Sequence, residues 1–156
     1  MTSFETRYDT PEASPGFLLW KVANLHQRLQ RRALSGLDLT PTQFSVLACF
    51  AELSKHGTPS QADVCILGAL DKMIVSDATR ALVAKDFLSK TQSTTDRRAA
   101  TIKLTRTGRT VCNRAVTIVE ALDASLFDPT REAKPLVAHL QAVLAANEAD
   151  RSAFVA

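Results

Sequence analysis

The residues of this chain that could do chemistry are mostly cations, and they are concentrated near its middle. Between Arg80 and Arg114 there are nine basic residues and two acidic ones, a net charge of +7. Since the whole chain carries +3, the remainder carries −4. A cationic segment binds polyanions, because each phosphate that it neutralises releases counterions. A solvated charged surface is the alternative, and the shape of the elements that carry the charge must decide between the two.

Side chains suited to catalysis or metal binding form no recognisable set in the sequence. It contains no GxGxxG, GxSxG or HExxH motif, and its three histidines fall on separate predicted elements. The cysteines, Cys49, Cys65 and Cys112, include no CxxC pair, which argues against a disulfide framework or a structural zinc site. We expect no enzymatic activity and no cofactor. The thiols are expected to fill small buried spaces, with oxidant sensing as the alternative.

Length and composition predict one folded, α-rich unit. The 156 residues include 46% hydrophobic and 22% charged residues, which are ordinary globular proportions. No apolar run approaches the roughly 18 residues of a membrane span, and the charged N-terminal segment lacks the hydrophobic stretch of a signal sequence. We therefore expect no membrane association and a cytoplasmic location.

The first two helices are marked by a proline beside a capping residue. Ser14 caps a helix that begins at Pro15, and its apolar stripe runs to about Leu34, shortly before Gly36. Thr40-Pro41-Thr42-Gln43 is a capping box that begins the second helix. The second helix is apolar over a wide arc, so it is expected to lie at the centre of the fold.

Two short helices follow, joined by a tight turn at Gly68-Ala69-Leu70. The first of them is predicted to turn Val64 and Leu67 inward. Asp71 caps the second, which spans about residues 72–85. Two short helices joined by a glycine-containing turn form a helix-turn-helix arrangement.

A β-hairpin is predicted directly after these helices. Its strands are Ser89–Ser93 and Ala99–Leu104, the second with alternating apolar residues. A hairpin that follows a helix-turn-helix is a wing, and Asp96, Arg97 and Arg98 lie at its tip. A guanidinium there can enter the narrow, strongly negative minor groove of DNA, and Asp96 can hold one arginine in place. A turn with incidental charges is the alternative.

The outward face of the fourth helix carries side chains that could contact base edges in a major groove: Lys72, Met73, Ser76, Asp77 and Arg80. Ser76 can donate or accept a hydrogen bond, and Met73 can touch a thymine methyl group. Asp77 either accepts from a cytosine amino group or pairs with Arg80 one turn away. Plain solvation of this face is the alternative.

The C-terminal third predicts two long apolar helices. Thr105 caps a fifth helix whose apolar stripe reaches Leu126, and Asp128-Pro129 marks a break. Pro135 either starts or kinks a sixth helix. Helices one, five and six carry more apolar surface than the wing and its helices can cover, which predicts a homodimer.

The predicted fold class is therefore mainly α with a small β-hairpin wing. Residues 38–105 are expected to form a winged helix-turn-helix DNA-binding domain. Residues 14–36 and 106–152 are expected to form a helical dimerisation region.

These motifs resemble the MarR family of winged-helix transcription regulators. The similarity is strongest at Leu70-Asp71-Lys72-Met73, at Asp96-Arg97-Arg98-Ala99 and at Leu104-Thr105-Arg106-Thr107-Gly108-Arg109. The resemblance implies a dimer that binds palindromic double-stranded DNA through paired recognition helices and wings. It also implies release by a small anionic or phenolic ligand, with Arg98 as the wing arginine and Asp96 as its anchor.

Two residues depart from the family pattern. Asp77 stands where many members carry a basic or neutral residue, and Asp86 replaces a common glycine after the recognition helix. The effector pocket is expected near Trp20, His26, Phe44 and Leu47, although aromatic residues at helical spacing also fill cores. Two alternative functions follow from the same residues: a cysteine-based oxidant-sensing regulator and a winged-helix module for protein association.

Overall fold

The fold of the computed structural model is mostly helical, with one two-stranded antiparallel sheet, and it describes residues 5–92, 100–127 and 133–147. The predicted fold class is confirmed. The main elements in chain order are α1 (Pro15–Ala33), α2 (Pro41–Leu53), α3 (Gln61–Gly68), α4 (Lys72–Ala84), β1 (Leu88–Gln92), β2 (Ala100–Leu104), α5 (Arg106–Phe127) and α6 (Ala133–Ala146). Short 3-10 helices lie at Pro11–Ala13 and Ser35–Leu37.

The predicted helix starts are confirmed by their capping hydrogen bonds. The Ser14 hydroxyl accepts from the Phe17 amide, 3.4 Å away. At α2 the Thr40 hydroxyl accepts from the Gln43 amide at 3.2 Å, and the Gln43 side chain accepts from the Thr40 amide at 3.3 Å. Such side chains satisfy amides that have no partner within the helix, so local sequence sets these boundaries.

The hydrophobic core forms around α2, which packs against α3, α4 and α5. Val46, Leu47 and Phe50 of α2 are fully buried, as are Val75 and Leu82 of α4. This arrangement confirms the expected central position of the second helix. It also fixes α4 by its inner face, so that its other face points away from the core.

One core prediction is wrong. Val64 of α3 is buried as expected, but Leu67 is 47% exposed, and Cys65 at 2% exposure packs into the core instead. The physical reason is the position of α3 at the edge of the fold. Leu67 lies against an open groove between α2 and α5 rather than against the core.

The turn between α3 and α4 uses a left-handed residue. Ala69 has φ 48°, and the Leu70 amide donates to the Cys65 carbonyl across it, at 3.0 Å. A left-handed residue at this point lets the chain leave α3 and begin α4 almost at once. Asp71 then caps α4, as predicted, with its carboxylate accepting from the Met73 amide at 2.7 Å.

A similar left-handed residue ends α4. Asp86 has φ 56°, the Phe87 amide donates to Leu82 O at 2.9 Å, and the Asp86 amide donates to Val83 O at 3.0 Å. This pair of hydrogen bonds is the Schellman motif, whose left-handed position favours glycine. Asp86 therefore occupies a glycine position geometrically, and aspartate is one of the residues that tolerate it.

The start of α5 is hydrogen-bonded to the residues that end α4. The Thr105 hydroxyl donates to Asp86 O at 2.7 Å and accepts from the Gly108 amide at 2.9 Å. A side chain on Gly108 would place its Cβ 1.9 Å from Phe87 O. The residues from Leu104 to Gly108 thus allow the start of α5 to lie close to the backbone of Phe87.

The strands β1 and β2 pair in register from Leu88↔Leu104 to Gln92↔Ala100. They confirm the predicted hairpin with shifts of one residue at its ends. Pro135 lies in the first turn of α6, consistent with a proline that starts the helix rather than kinks it. The predicted break at Asp128-Pro129 lies outside the described residues. Across the described ranges, no helix is long and apolar enough to cross a membrane.

Candidate nucleic-acid interface

The outer face of α4 carries the predicted recognition residues. Lys72, Met73, Asp77 and Arg80 are exposed, Met73 at 69%, and Ser76 is partly exposed. The opposite side of the helix is buried against the core at the following positions: Val75, Ala78, Thr79 and Leu82. This division places the five predicted side chains on the solvent side of a helix whose orientation the core holds.

Asp77 is neutralised within the helix. Its carboxylate Oδ1 lies 3.2 Å from Arg80 Nη2, and both side chains are largely exposed. Pairing with Arg80 is one of the two roles expected for Asp77, the other being to accept a hydrogen bond from a cytosine amino group. The pair places a positive charge beside the carboxylate and so reduces the repulsion that a lone carboxylate would exert on phosphate.

The wing, whose strand β1 packs against α4, carries further exposed cations. Lys90 on β1 and Lys103 on β2 are both exposed. The three predicted tip residues, Asp96, Arg97 and Arg98, lie outside the described residues, between the last paired residues Gln92 and Ala100. Their roles stay predictions.

The N-terminus of α2 lies beside the outer face of α4, which sequence reasoning missed. A cavity of about 320 Å³ is lined by Thr40, Thr42 and Gln43 of α2 together with Ile74, Asp77 and Ala78 of α4. The exposed Thr40 and Thr42 hydroxyls therefore border the same surface as the recognition residues. The capping box marked these residues as a helix start, but only packing brings them to α4.

The four residues expected to line an effector pocket occupy different environments. Phe44 and Leu47 are buried in the core, and Trp20 is 62% exposed on α1. His26 Nε2 lies 2.8 Å from Asp123 Oδ1 and thereby joins α1 to α5. A pocket formed by these four residues stays a prediction.

A larger cavity, about 720 Å³, lies between α2, α3 and the first half of α5. Cys49, Leu67, Cys112 and Val116 contribute apolar surface to it, and Arg109 lies at its edge. Glu52, Lys55 and Glu120 also line it, so the cavity combines an apolar surface with charges of both signs and suits a small amphipathic ligand. No local pattern predicted it, because its lining residues range in sequence from Ala48 to Glu120.

Burial suppresses the reactivity of the thiols. Cys65 and Cys112 are buried as expected, whereas Cys49 is only partly buried. Desolvation by burial raises the pKa of each of the three thiols above its ordinary value of 9.0. A raised pKa lowers the thiolate fraction and hence the rate of reaction with oxidants.

Other reactive clusters are not evident in the part of the chain that the structure describes. Residues 5–92, 100–127 and 133–147 contain no group of three or more histidine, cysteine or acidic side chains placed to hold a metal ion. The chemistry that remains is that of a charged, hydrogen-bonding surface formed by α4, the wing and the start of α2.

The helix-turn-helix of α3 and α4, followed by the β1–β2 wing, defines a winged-helix protein. Residues 39–100 match the model of the MarR family. The chain is 30% identical over 142 residues to the uncharacterized HTH-type transcriptional regulator YdcH of Bacillus subtilis, a match that covers 90% of this chain and 97% of that protein. The chain belongs to the MarR family of transcription regulators.

A second relative supports the assignment. The multiple antibiotic resistance protein MarR of Salmonella typhimurium is 31% identical over 102 residues, which cover 64% of this chain and 67% of that protein.

Solved structures of the family share the fold. A MarR-family regulator from Rhodococcus superposes with a TM-score of 0.76 at 22% identity, covering 87% of this chain and 96% of that one. A mutant E. coli MarR complexed with operator DNA gives 0.70 at 25% identity, covering 83% and 92%. Bordetella bronchiseptica BpsR, whose DNA binding is regulated by 6-hydroxynicotinic acid, gives 0.73 at 26% identity, covering 82% and 96%.

Proposed function

We propose that this chain is a homodimeric repressor that binds a palindromic operator in double-stranded DNA. The observation that carries the proposal is the outer face of α4, where exposed Lys72, Met73 and Arg80 stand opposite a buried face. A helix held in this way can enter a major groove and present its side chains to base edges. The similar E. coli MarR, complexed with operator DNA, supports this role for the fold.

The proposed contacts are of two kinds: those that recognise base edges and those that bind phosphates and position the protein on the duplex. Ser76 and Met73 are suited to base edges, whereas Lys72 and Arg80 can reach guanine or a phosphate. Arg98 of the wing is assigned to the adjacent minor groove. The segment 38–105 then forms the DNA-binding domain.

The dimer is proposed from apolar surface that one chain leaves uncovered. Leu18, Leu19, Trp20 and Val22 of α1 are between 42% and 62% exposed. Five large apolar residues of α6 are between 37% and 61% exposed: Leu136, Val137, Leu140, Val143 and Leu144. Apolar area of this extent at helical spacing is stable in water when a second copy covers it. The dimerisation region is accordingly assigned to residues 14–36 and 106–152.

A small aromatic or anionic effector is proposed to release the DNA. The support is twofold: the cavity between α2 and α5, with Arg109 at its edge, and the regulation of BpsR by 6-hydroxynicotinic acid. A ligand there would contact α2 and α5, and α2 packs against both α4 and the wing strand β2. The ligand can change the affinity for DNA only if it binds the DNA-bound and the DNA-free conformations of the protein with different affinities.

The test is a selection of sequences from random DNA duplexes by the purified protein, repeated with a panel of aromatic acids. We expect an enriched palindrome that at least one acid displaces. Arg98→Ala should weaken binding to all duplexes alike, while Lys72→Ala or Ser76→Ala should change the preferred sequence.

Arg7→Ala is the control, because this exposed cation lies over the Tyr8 ring, outside both the proposed DNA-binding segment and the proposed dimerisation region. It should leave both affinity and preference unchanged. If no sequence is enriched, the operator proposal is wrong and a protein-association role takes its place.

A further inference from the structure

Lys85 is the one basic residue of the cationic segment that the structure shows turned inward to three acceptors at once. Its Nζ donates to Asp38 O at 2.5 Å and to Gln43 Oε1 at 3.1 Å, and it lies 3.2 Å from Asp38 Oδ2. The Lys85 side chain is only 25% exposed. Its ammonium therefore makes two hydrogen bonds and one ion pair within this chain.

The acceptors belong to the segment that begins α2. Gln43 Oε1 also accepts from the Thr40 amide, so one oxygen serves both the capping box and Lys85. Asp38 is left-handed, with φ 53°, and turns its carbonyl toward the ammonium. Lys85 itself is the C-terminal cap of α4. The ammonium thus ties the end of the recognition helix to the start of α2.

We propose that Lys85 is a positioning residue that sets the angle of α4 against α2, rather than a contact to phosphate. The proposal rests on the DNA-binding function proposed above. The inner face of α4 is held by apolar packing, which permits small rotations, whereas charge-assisted hydrogen bonds at its end are directional. Fixing the end of α4 fixes where Lys72 to Arg80 meet the bases.

The two possible roles of Lys85 give opposite results when its acidic partner is removed. Asp38→Asn keeps a residue that tolerates the left-handed backbone and keeps the carbonyl acceptor, but it removes the negative charge. If Lys85 positions α4, this change weakens operator binding. If Lys85 were a phosphate contact restrained by Asp38, the same change would free it and tighten binding.

The test measures the affinity of the full-length protein for its selected duplex and for a random duplex over a series of salt concentrations. Lys85→Met keeps the length of the side chain and removes the ammonium. We expect about a tenfold loss on the selected duplex, no loss on the random duplex, and an unchanged salt slope. Lys85→Arg should restore most of the affinity.

Lys90→Met is the control, because Lys90 is an exposed cation of β1 in the same charged segment. Its loss should weaken both duplexes and lower the salt slope by about one. In a double-mutant cycle, Lys85→Met should cost less in the Asp38→Asn background than alone.

A salt slope lowered by Lys85→Met, or tighter binding by Asp38→Asn, would overturn the proposal. So would equal affinity of Lys85→Met and the natural chain for the selected duplex. Circular dichroism melting shows whether each variant is folded at the assay temperature. If Lys85→Met is unfolded, the affinity of Asp38→Asn for the selected duplex decides between the two roles of Lys85. If the natural chain selects no sequence, both the proposed DNA-binding function and this inference are wrong. If the natural chain selects a sequence but the Lys85 and Asp38 variants do not behave as expected, only this inference is wrong.

Discussion

At the residue scale, burial decides what the three thiols do. Desolvation by burial is the largest cause of the raised pKa of Cys112, and the nearby Arg109 charge opposes it only in part. The folded chain therefore holds the Cys112 proton to a higher pH than the unfolded chain does. Side chains in this state act as small apolar residues rather than as nucleophiles, which disfavours the oxidant-sensing alternative.

The raised thiol pKa predicts a loss of stability in alkali. The stabilisation is complete below the ordinary value of 9.0 and is lost as the pH rises through the folded value. We expect the free energy of unfolding to fall above this pH, with Cys112 contributing at most about 1.4 kcal/mol per pH unit.

Urea unfolding at a series of pH values measures this effect. Cys112→Ala removes the titrating group and should show a shallower decline than the natural chain, whatever its stability at neutral pH. Identical pH profiles for the two proteins would contradict the assignment to Cys112.

At the element scale, the wing is held by the approach of α5 to the end of α4. Thr105 bonds to the Asp86 carbonyl and caps α5 through the Gly108 amide. Gly108 faces Phe87, which immediately precedes β1. In the proposed complex α4 and the wing enter neighbouring grooves, and this junction would set their relative position.

Gly108→Ala should destabilise the protein by about 1–3 kcal/mol or more, because its methyl group would meet backbone that has no free space. Displacement of Phe87 should also shift the wing and weaken DNA binding. Thermal unfolding and duplex titration provide the measurements.

Gly16→Ala is the matched control for this substitution. A methyl group on Gly16 of α1 would have nothing within 4 Å. Because alanine favours helix, the change should be neutral or stabilise the chain by up to about 1 kcal/mol. Similar losses in the two variants would exclude the close contact as the cause.

At the scale of the whole molecule, most of the exposed large apolar side chains among the described residues lie on α1 and α6. The outward stripe of α6 includes Leu140, Val143 and Leu144, at 41%, 61% and 54% exposure. The His26–Asp123 pair ties α1 to α5 within one chain. A second copy that covers these helices would bring two recognition helices onto one duplex.

Val143→Glu should weaken the dimer by about a hundredfold or more, because an unpaired carboxylate would be buried in an apolar interface. Ala142→Glu adds the same charge on the opposite side of α6 and should leave the dimer intact. Sedimentation velocity over a range of concentrations distinguishes these cases. A monomeric natural chain, or a Val143→Glu protein that remains dimeric, would refute this interface.

Local sequence was sufficient for the elements and for one contact within the site. The capping residues Ser14, Thr40 and Asp71 and the Asp77–Arg80 pair were predictable, because each acts within one helical turn. The two faces of α4 followed from apolar spacing in the same way.

The exposure of Leu67 and the contacts of Lys85 were not predictable from these patterns. Leu67 has the spacing of a core residue, yet it lies at an open groove because α3 is at the edge of the fold. Lys85 counted as one more cation until folding placed Asp38 against its ammonium. Neither outcome depends on the residues adjacent in sequence.

The order of residues alone was enough for the helices, the turn between α3 and α4, and the cationic character of the surface that follows. These depend on hydrogen bonds, backbone preferences and charges within a few positions of one another. Tertiary packing decided which cations stay free, which apolar residues form the core, and where the large cavity lies. It did so because these properties depend on contacts such as Lys85 with Asp38, 47 residues apart, which exist only after α2, α4 and α5 have packed together.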